Sequence, residues 1–139
     1  MTFRAFLPAA ALILALASPA LADTVTVRDD GGGNVSDYIR TRERLAKLDS
    51  VRIEGKCYSA CTIFTTLPNA CVHPQAAIGF HGTSPRVPLL QKWLDMRLGR
   101  YYRGEVRRRY EATWRKSLRL HVISGRELKR LDPKIKLCR

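Results

Sequence analysis

The chain has 139 residues and carries a formal charge of +13, from 25 basic and 12 acidic side chains. That length supports one small domain with a thin core, for which covalent staples are useful. Beyond the N-terminal region no segment is apolar enough to span a bilayer as a helix.

The N-terminus reads as an export signal. Arg4 supplies the positive end, residues 9–17 are uninterrupted Ala, Leu and Ile, and Ser18-Pro19 precedes a small-x-small site at Ala20-Leu21-Ala22. This predicts a signal peptide over 1–22, a mature start at Asp23, and a single domain over 23–139. Cleavage removes Arg4, which lowers the charge to about +12. The apolar run falls short of the ~18–20 residues an anchor needs. No Cys follows the cleavage site, which argues against a lipoprotein. The expected destination is periplasmic or secreted.

Residues 24–27 alternate β-branched and predict a strand, broken by Asp29-Asp30-Gly31-Gly32-Gly33. Asn34 or Ser36 is placed to cap a helix running through Tyr38, Ile39, Leu45 and Leu48. A second strand is expected over 51–53, ended by Gly55. Then come Cys57-Tyr58-Ser59-Ala60-Cys61, an apolar segment over 62–67, a Pro68-Asn69 turn, and short strands at 71–72 and 76–80. The alternation predicts an α/β fold, a parallel sheet with βαβ crossovers. After His81 the character changes. Pro85 and Pro88 mark a loop, helices are expected over 89–98 and 101–118, and Ser124-Gly125-Arg126-Glu127 is a capping box for a last helix ended by Asp132-Pro133. Residues 85–139 thus read as a mainly helical, basic subregion.

The densest positive clusters are Arg107-Arg108-Arg109 and Arg115-Lys116. They read either as a face for a polyanion, such as an anionic envelope surface, or as a solvated helix face whose Arg stems cover apolar area. No nucleic-acid motif is present, so nucleic acid is not an expected partner. Four cysteines in a small exported chain predict disulfides. The preferred pairing is Cys57–Cys61 with Cys71–Cys138; the two other pairings remain open. His73 and His81 do not complete a zinc spacing with Cys57 and Cys61, so neither metal nor other cofactor is expected.

Three features stand at the ends of elements: Gly32-Gly33, Ser59 and His81. In a parallel sheet the carboxyl ends of strands share an edge, which brings such residues together. A nucleophilic Ser needs a base, and imidazole suits neutral pH. The oxyanion that forms needs backbone N–H donors, which a Gly-Gly loop and the start of a helix supply.

With these residues in order, the chain resembles the Clp protease catalytic subunit and its exported relatives in the Clp-protease/crotonase-like superfamily. The resemblance rests on Asp30-Gly31-Gly32-Gly33, Tyr58-Ser59-Ala60-Cys61, Asn69-Ala70-Cys71-Val72-His73-Pro74 and Ala77-Ile78-Gly79-Phe80-His81, and spans about 24–82. It is strongest to small exported proteins with a Cys-x-Ser-Ala-Cys and a Gly-Phe-His segment. It implies Ser59 as nucleophile, His81 as general base, and an oxyanion hole from the Gly32 and Gly33 backbone with the N–H of Ala60. The third triad member of the family is a downstream Asp, for which Asp132 has the more family-like distance and Asp95 is the other candidate. A Ser–His dyad oriented by backbone is the alternative. The implied activity is that of a serine hydrolase, peptidase-like or esterase-like, on a peptide or ester substrate. No ATPase partner is expected, because an exported chain has no ATP supply. The alternative is a catalytically silent envelope binding protein using its basic C-terminal face. The oligomeric state is left open.

Overall fold

The computed structural model describes residues 22–84 and 87–139. The expected signal peptide, apart from Ala22, and the loop proline Pro85 lie outside the described residues.

The first crossover follows from its local sequence. Strand β1, Thr24–Asp30, runs parallel to β2, Ser50–Tyr58, and helix α1, Val35–Leu45, connects them. Asn34 rather than Ser36 caps α1, its side chain accepting from the Ser36 and Asp37 amides. Strand β2 is the buried spine of the sheet, with Val51, Ile53 and Cys57 fully covered. It is longer than the alternation at 51–53 predicts. Gly55 does not end it; the register with β1 shifts there, and a Cβ on Gly55 would lie 2.0 Å from the Arg28 carbonyl oxygen. The glycine permits a close backbone approach at a bulge.

Strands β3, Ala70–Val72, and β4, Ala77–Phe80, use the same edge of β2 in succession, both parallel to it. Between β2 and β3 the chain forms a 3-10 helix over Ser59–Thr66, whose residues are all buried except Ser59.

The sheet is mixed rather than wholly parallel. A further strand, β5 at His121–Ser124, pairs antiparallel with β4, an element that the sequence pattern does not predict. Its four residues sit between a basic stretch and a capping box, too short to show alternation. Helices α2, Pro88–Gly99, and α4, Gly125–Leu131, match the expected segments, and Ser124 Oγ accepts from the Glu127 amide as the capping box requires. Helix α3 is shorter than expected, Gly104–Ala112 followed by a 3-10 turn at Trp114–Lys116. Gly104 takes φ +53 and Thr113 leaves the helical region, which cuts the pattern at both ends.

The C-terminal region closes over the sheet. Phe80 of β4 stacks on Trp114 at 4.8 Å and meets the edge of Tyr102 at 5.3 Å. The tail is tied to β3 by the Cys71–Cys138 disulfide and by Val72, whose N–H donates to the Lys136 carbonyl while its own carbonyl accepts from the Cys138 amide. Among the described residues no helix is long and apolar enough to cross a membrane.

Candidate active site

Ser59 begins the 3-10 helix directly after β2 and takes φ +56. It is the one non-glycine residue with positive φ among the described residues. An L side chain in this region is strained, and here the strained residue is a serine at a strand-to-helix turn. Two covalent and polar restraints hold the turn. The Cys57–Cys61 disulfide brackets it, with both cysteines fully buried. The Thr62 hydroxyl donates to the Ser59 carbonyl at 2.7 Å.

The glycine loop sits directly on this turn. Gly32 has φ +83, and a Cβ there would lie 2.6 Å from Ser59 Cβ, 2.7 Å from the Tyr58 carbonyl oxygen and 3.0 Å from the Ala60 nitrogen. Only glycine fits. The Gly32 amide donates to Asp30 Oδ1 at 2.8 Å, and the same oxygen accepts from the Tyr38 hydroxyl at 2.5 Å. Burial, reinforced by the Asp30 contact and charge, holds the Tyr38 phenol well above its usual pKa, so it remains a donor. Asp30 thereby anchors the loop to α1 and occupies the Gly32 amide. The Gly33 amide has no hydrogen-bond partner among the described residues. The Ala60 amide belongs to the first turn of its helix, where N–H groups lack intrahelical acceptors.

His81 stands at the end of β4, half-buried. Its Nδ1 lies 2.6 Å from the Gly82 carbonyl oxygen. A carbonyl only accepts, so Nδ1 carries the proton in this contact and Nε2 is left as the basic nitrogen. The following loop is pinned from the C-terminal region: the Gly82 amide donates to the Ser117 carbonyl at 2.8 Å, and the Thr83 amide to Asp95 Oδ1 at 2.8 Å.

These pieces open on one cleft of about 590 Å³. Its lining includes Gly31, Gly32 and Gly33 with the start of α1, Ser59 and His81, and Leu90, Trp93 and Leu94 of α2. The volume falls in the range of small-ligand sites, about 300–1,000 Å³. No hydrogen bond joins Ser59 to His81 among the described residues.

Asp132 is elsewhere. It follows α4, is buried, and its carboxylate accepts from Arg103 Nε at 2.8 Å and from the Lys134 amide at 3.1 Å. It does not line the cleft. Asp95 does not touch the imidazole either; its carboxylate gathers the Thr83 amide, the Tyr110 hydroxyl and the Gln91 side chain. In this structure the contact at His81 Nδ1 is the backbone carbonyl.

Sequence reasoning does not find the supports behind the cleft. Tyr102 and Tyr110 are buried, and burial, with Asp95 adding to it, raises both phenols far above the ordinary tyrosine value. The helical spacing of Tyr110 signals packing and nothing more. Trp93, also at helical spacing, is half exposed and lines the cleft. All four cysteines are in disulfides, so none is a free thiol or metal thiolate. Two buried or tail-closing disulfides suit a chain oxidised outside the cytoplasm.

No family model matches the sequence, and no curated protein is significantly similar to it. A solved structure described as the crystal structure of an enzyme is similar in fold, with a TM-score of 0.51 over 81% of this chain and 74% of that one, at 9% identity. At that identity the likeness shows the fold alone: an α/β chain with a mostly parallel, mixed sheet.

Proposed function

We propose that the chain is an exported serine hydrolase, Clp-protease-like or crotonase-like in fold, that works outside the cytoplasm without an ATP-driven partner. The observation that carries the proposal is the cleft itself. Three segments far apart in sequence bring a strained serine, a histidine with a free Nε2 and a glycine loop to one opening.

The chemistry follows from these groups. Ser59 Oγ attacks an acyl carbon and passes its proton to His81 Nε2. The Gly33 and Ala60 amides receive the negative charge that develops on the acyl oxygen, while Gly32 contributes the absence of a side chain rather than its own amide. The tetrahedral intermediate collapses, His81 gives its proton to the departing amine or alcohol, and water then hydrolyses the acyl-enzyme by the same route. The Gly82 carbonyl holds the ring through Nδ1 in place of a carboxylate. Substrates are accessible peptides or esters.

A fluorophosphonate probe tests the reading. It should label Ser59 in the folded, oxidised chain and fail on Ser59→Ala and His81→Ala. Absence of labelling in the unaltered chain overturns the hydrolase reading. It would favour a catalytically silent binding protein on the same scaffold, a role consistent with Asp132 being engaged by Arg103 rather than by His81.

A further inference from the structure

Helix α2 buries a carboxylate and leaves several large apolar side chains exposed. Its buried residues are Asp95, Leu98 and Gly99. Its outward residues include Leu89 at 84% exposure, Trp93 at 49% and Met96 at 56%. At about 100° per residue these three fall within about 60° of one another, on the side opposite Leu98. Exposed Lys92 borders the stripe and exposed Arg100 continues it. The Arg97 guanidinium lies over the Trp93 ring, 4.6 Å from its centre, and donates to Ser36 Oγ.

We infer that this stripe docks the protein onto an anionic lipid bilayer, with Leu89, Trp93 and Met96 entering the interface and Lys92 and Arg100 meeting the headgroups.

Charge selects this occupant. A second copy would bring another chain of +13 and the same exposed Lys92 and Arg100 against the stripe, so self-association is opposed. An anionic surface satisfies the apolar and basic groups together, which is the recognition pattern of interfacial helices, with tryptophan at the headgroup level. The cations of α3 are less suited to lead. Arg107 pairs with Glu111, and Arg108 and Arg109 both pair with Glu105. The stripe also has a position that matters: Leu90, Trp93 and Leu94 of the same helix wall the cleft, so docking sets the cleft mouth beside the lipid surface. The inference stands on α2 alone and does not require Ser59 to be reactive.

The test uses vesicles of phosphatidylcholine with and without phosphatidylglycerol, read by co-sedimentation and by tryptophan emission. Binding should require the anionic lipid. It should shift the emission to the blue through Trp93, since Trp114 is already buried, and Trp93→Phe should lose the shift. Leu89→Asp and Met96→Asp, at exposed positions, should each lower the apparent affinity about tenfold or more while melting as the unaltered chain does. Raising the ionic strength from about 0.1 M to about 1 M should weaken binding severalfold, as the screening length falls from about 10 Å to about 3 Å. Ser59→Ala should bind as the unaltered chain does, which separates docking from the hydrolase reading. Three results overturn the inference: no binding to anionic vesicles; binding lost on Arg107→Gln with Arg108→Gln but kept on Leu89→Asp; or a dimer in solution that Leu89→Asp dissociates, with no response to lipid.

Discussion

The Thr62 hydroxyl lies 2.7 Å from the Tyr102 hydroxyl, deep in the protein. Thr62 has one hydroxyl proton, and it goes to the Ser59 carbonyl. Tyr102 must therefore be the donor between them, and its raised pKa keeps the proton in place. The C-terminal region thus supports the serine turn from behind. Tyr102→Phe keeps the ring contacts with Phe80 and Tyr110 but removes this donor. It should cost about 1 kcal/mol of stability, measured by denaturant unfolding. Ser59 should also be labelled more slowly by a fluorophosphonate. Unchanged labelling would limit Tyr102 to packing.

Asp95 and Asp132 make a discriminating pair, since both are buried and only one supports the cleft. Asp95→Ala strands the buried Thr83 amide two residues from His81, which should cost about 1–3 kcal/mol and slow labelling of Ser59. Asp132→Asn weakens the link to Arg103 and should cost about 1–3 kcal/mol as well. Labelling per folded molecule should not change in Asp132→Asn. If it fell as steeply as in His81→Ala, Asp132 would belong to the site after all.

The two disulfides should separate stability from reactivity. In the chain-entropy model the Cys71–Cys138 bridge, spanning 67 residues, is worth about 4 kcal/mol. The Cys57–Cys61 bridge, spanning 4 residues, is worth about 2 kcal/mol. Replacing both members of the long bridge with Ser should give the larger drop in unfolding free energy. Replacing both members of the short one should give the larger drop in Ser59 labelling, because it frees the turn that holds the positive φ.

How much of this was legible in the sequence depends on the range of the interaction. The capping box at Ser124 and the glycine run before α1 are local, and both appear as read. The meeting of Gly32, Ser59 and His81 in one cleft follows from strand ends sharing an edge, so it is legible once the βαβ order is. Strand β5 is not, because four residues carry no period and only pairing with β4 makes them a strand. The links from Tyr102 to Thr62 and from Asp95 to Thr83 are not either. Each joins residues 40 and 12 positions apart through a core that no local pattern encodes. The occupation of the Gly32 amide by Asp30 is a two-residue turn bond, and the Asp-Gly-Gly-Gly run was its available signal.

Acid should weaken the first turn of α3. Glu105 pairs with Arg108 and Arg109, and these contacts lower its pKa from 4.5 to about 2. A carboxylate depressed in the folded state stabilises above its unfolded pKa, and that stability is lost as pH falls through the folded value. The loss therefore lies between about pH 4.5 and about pH 2. It should be small, because the groups are at the surface and screened. Melting curves across this window should fall for the unaltered chain and fall less for Glu105→Gln. An equal fall in both would assign the acid sensitivity to other carboxylates.

Gly32 gives the sharpest test of the loop against the serine turn. Alanine there meets two obstacles at once. Its φ of +83 is costly for an L residue, by about 1–2 kcal/mol, and its methyl would fall 2.6 Å from Ser59 Cβ and 2.7 Å from the Tyr58 carbonyl oxygen. Neither obstacle is the tip of a flexible side chain, so the loop itself must move away from Ser59. Gly31 is the control, with open space at its would-be Cβ. Gly32→Ala should keep the fold by circular dichroism, lower stability by about 1–3 kcal/mol and nearly abolish fluorophosphonate labelling. Gly31→Ala should change neither by much. Full labelling of Gly32→Ala would show that the serine reacts without the glycine loop against it, and the oxyanion role would have to pass from Gly33 to another donor.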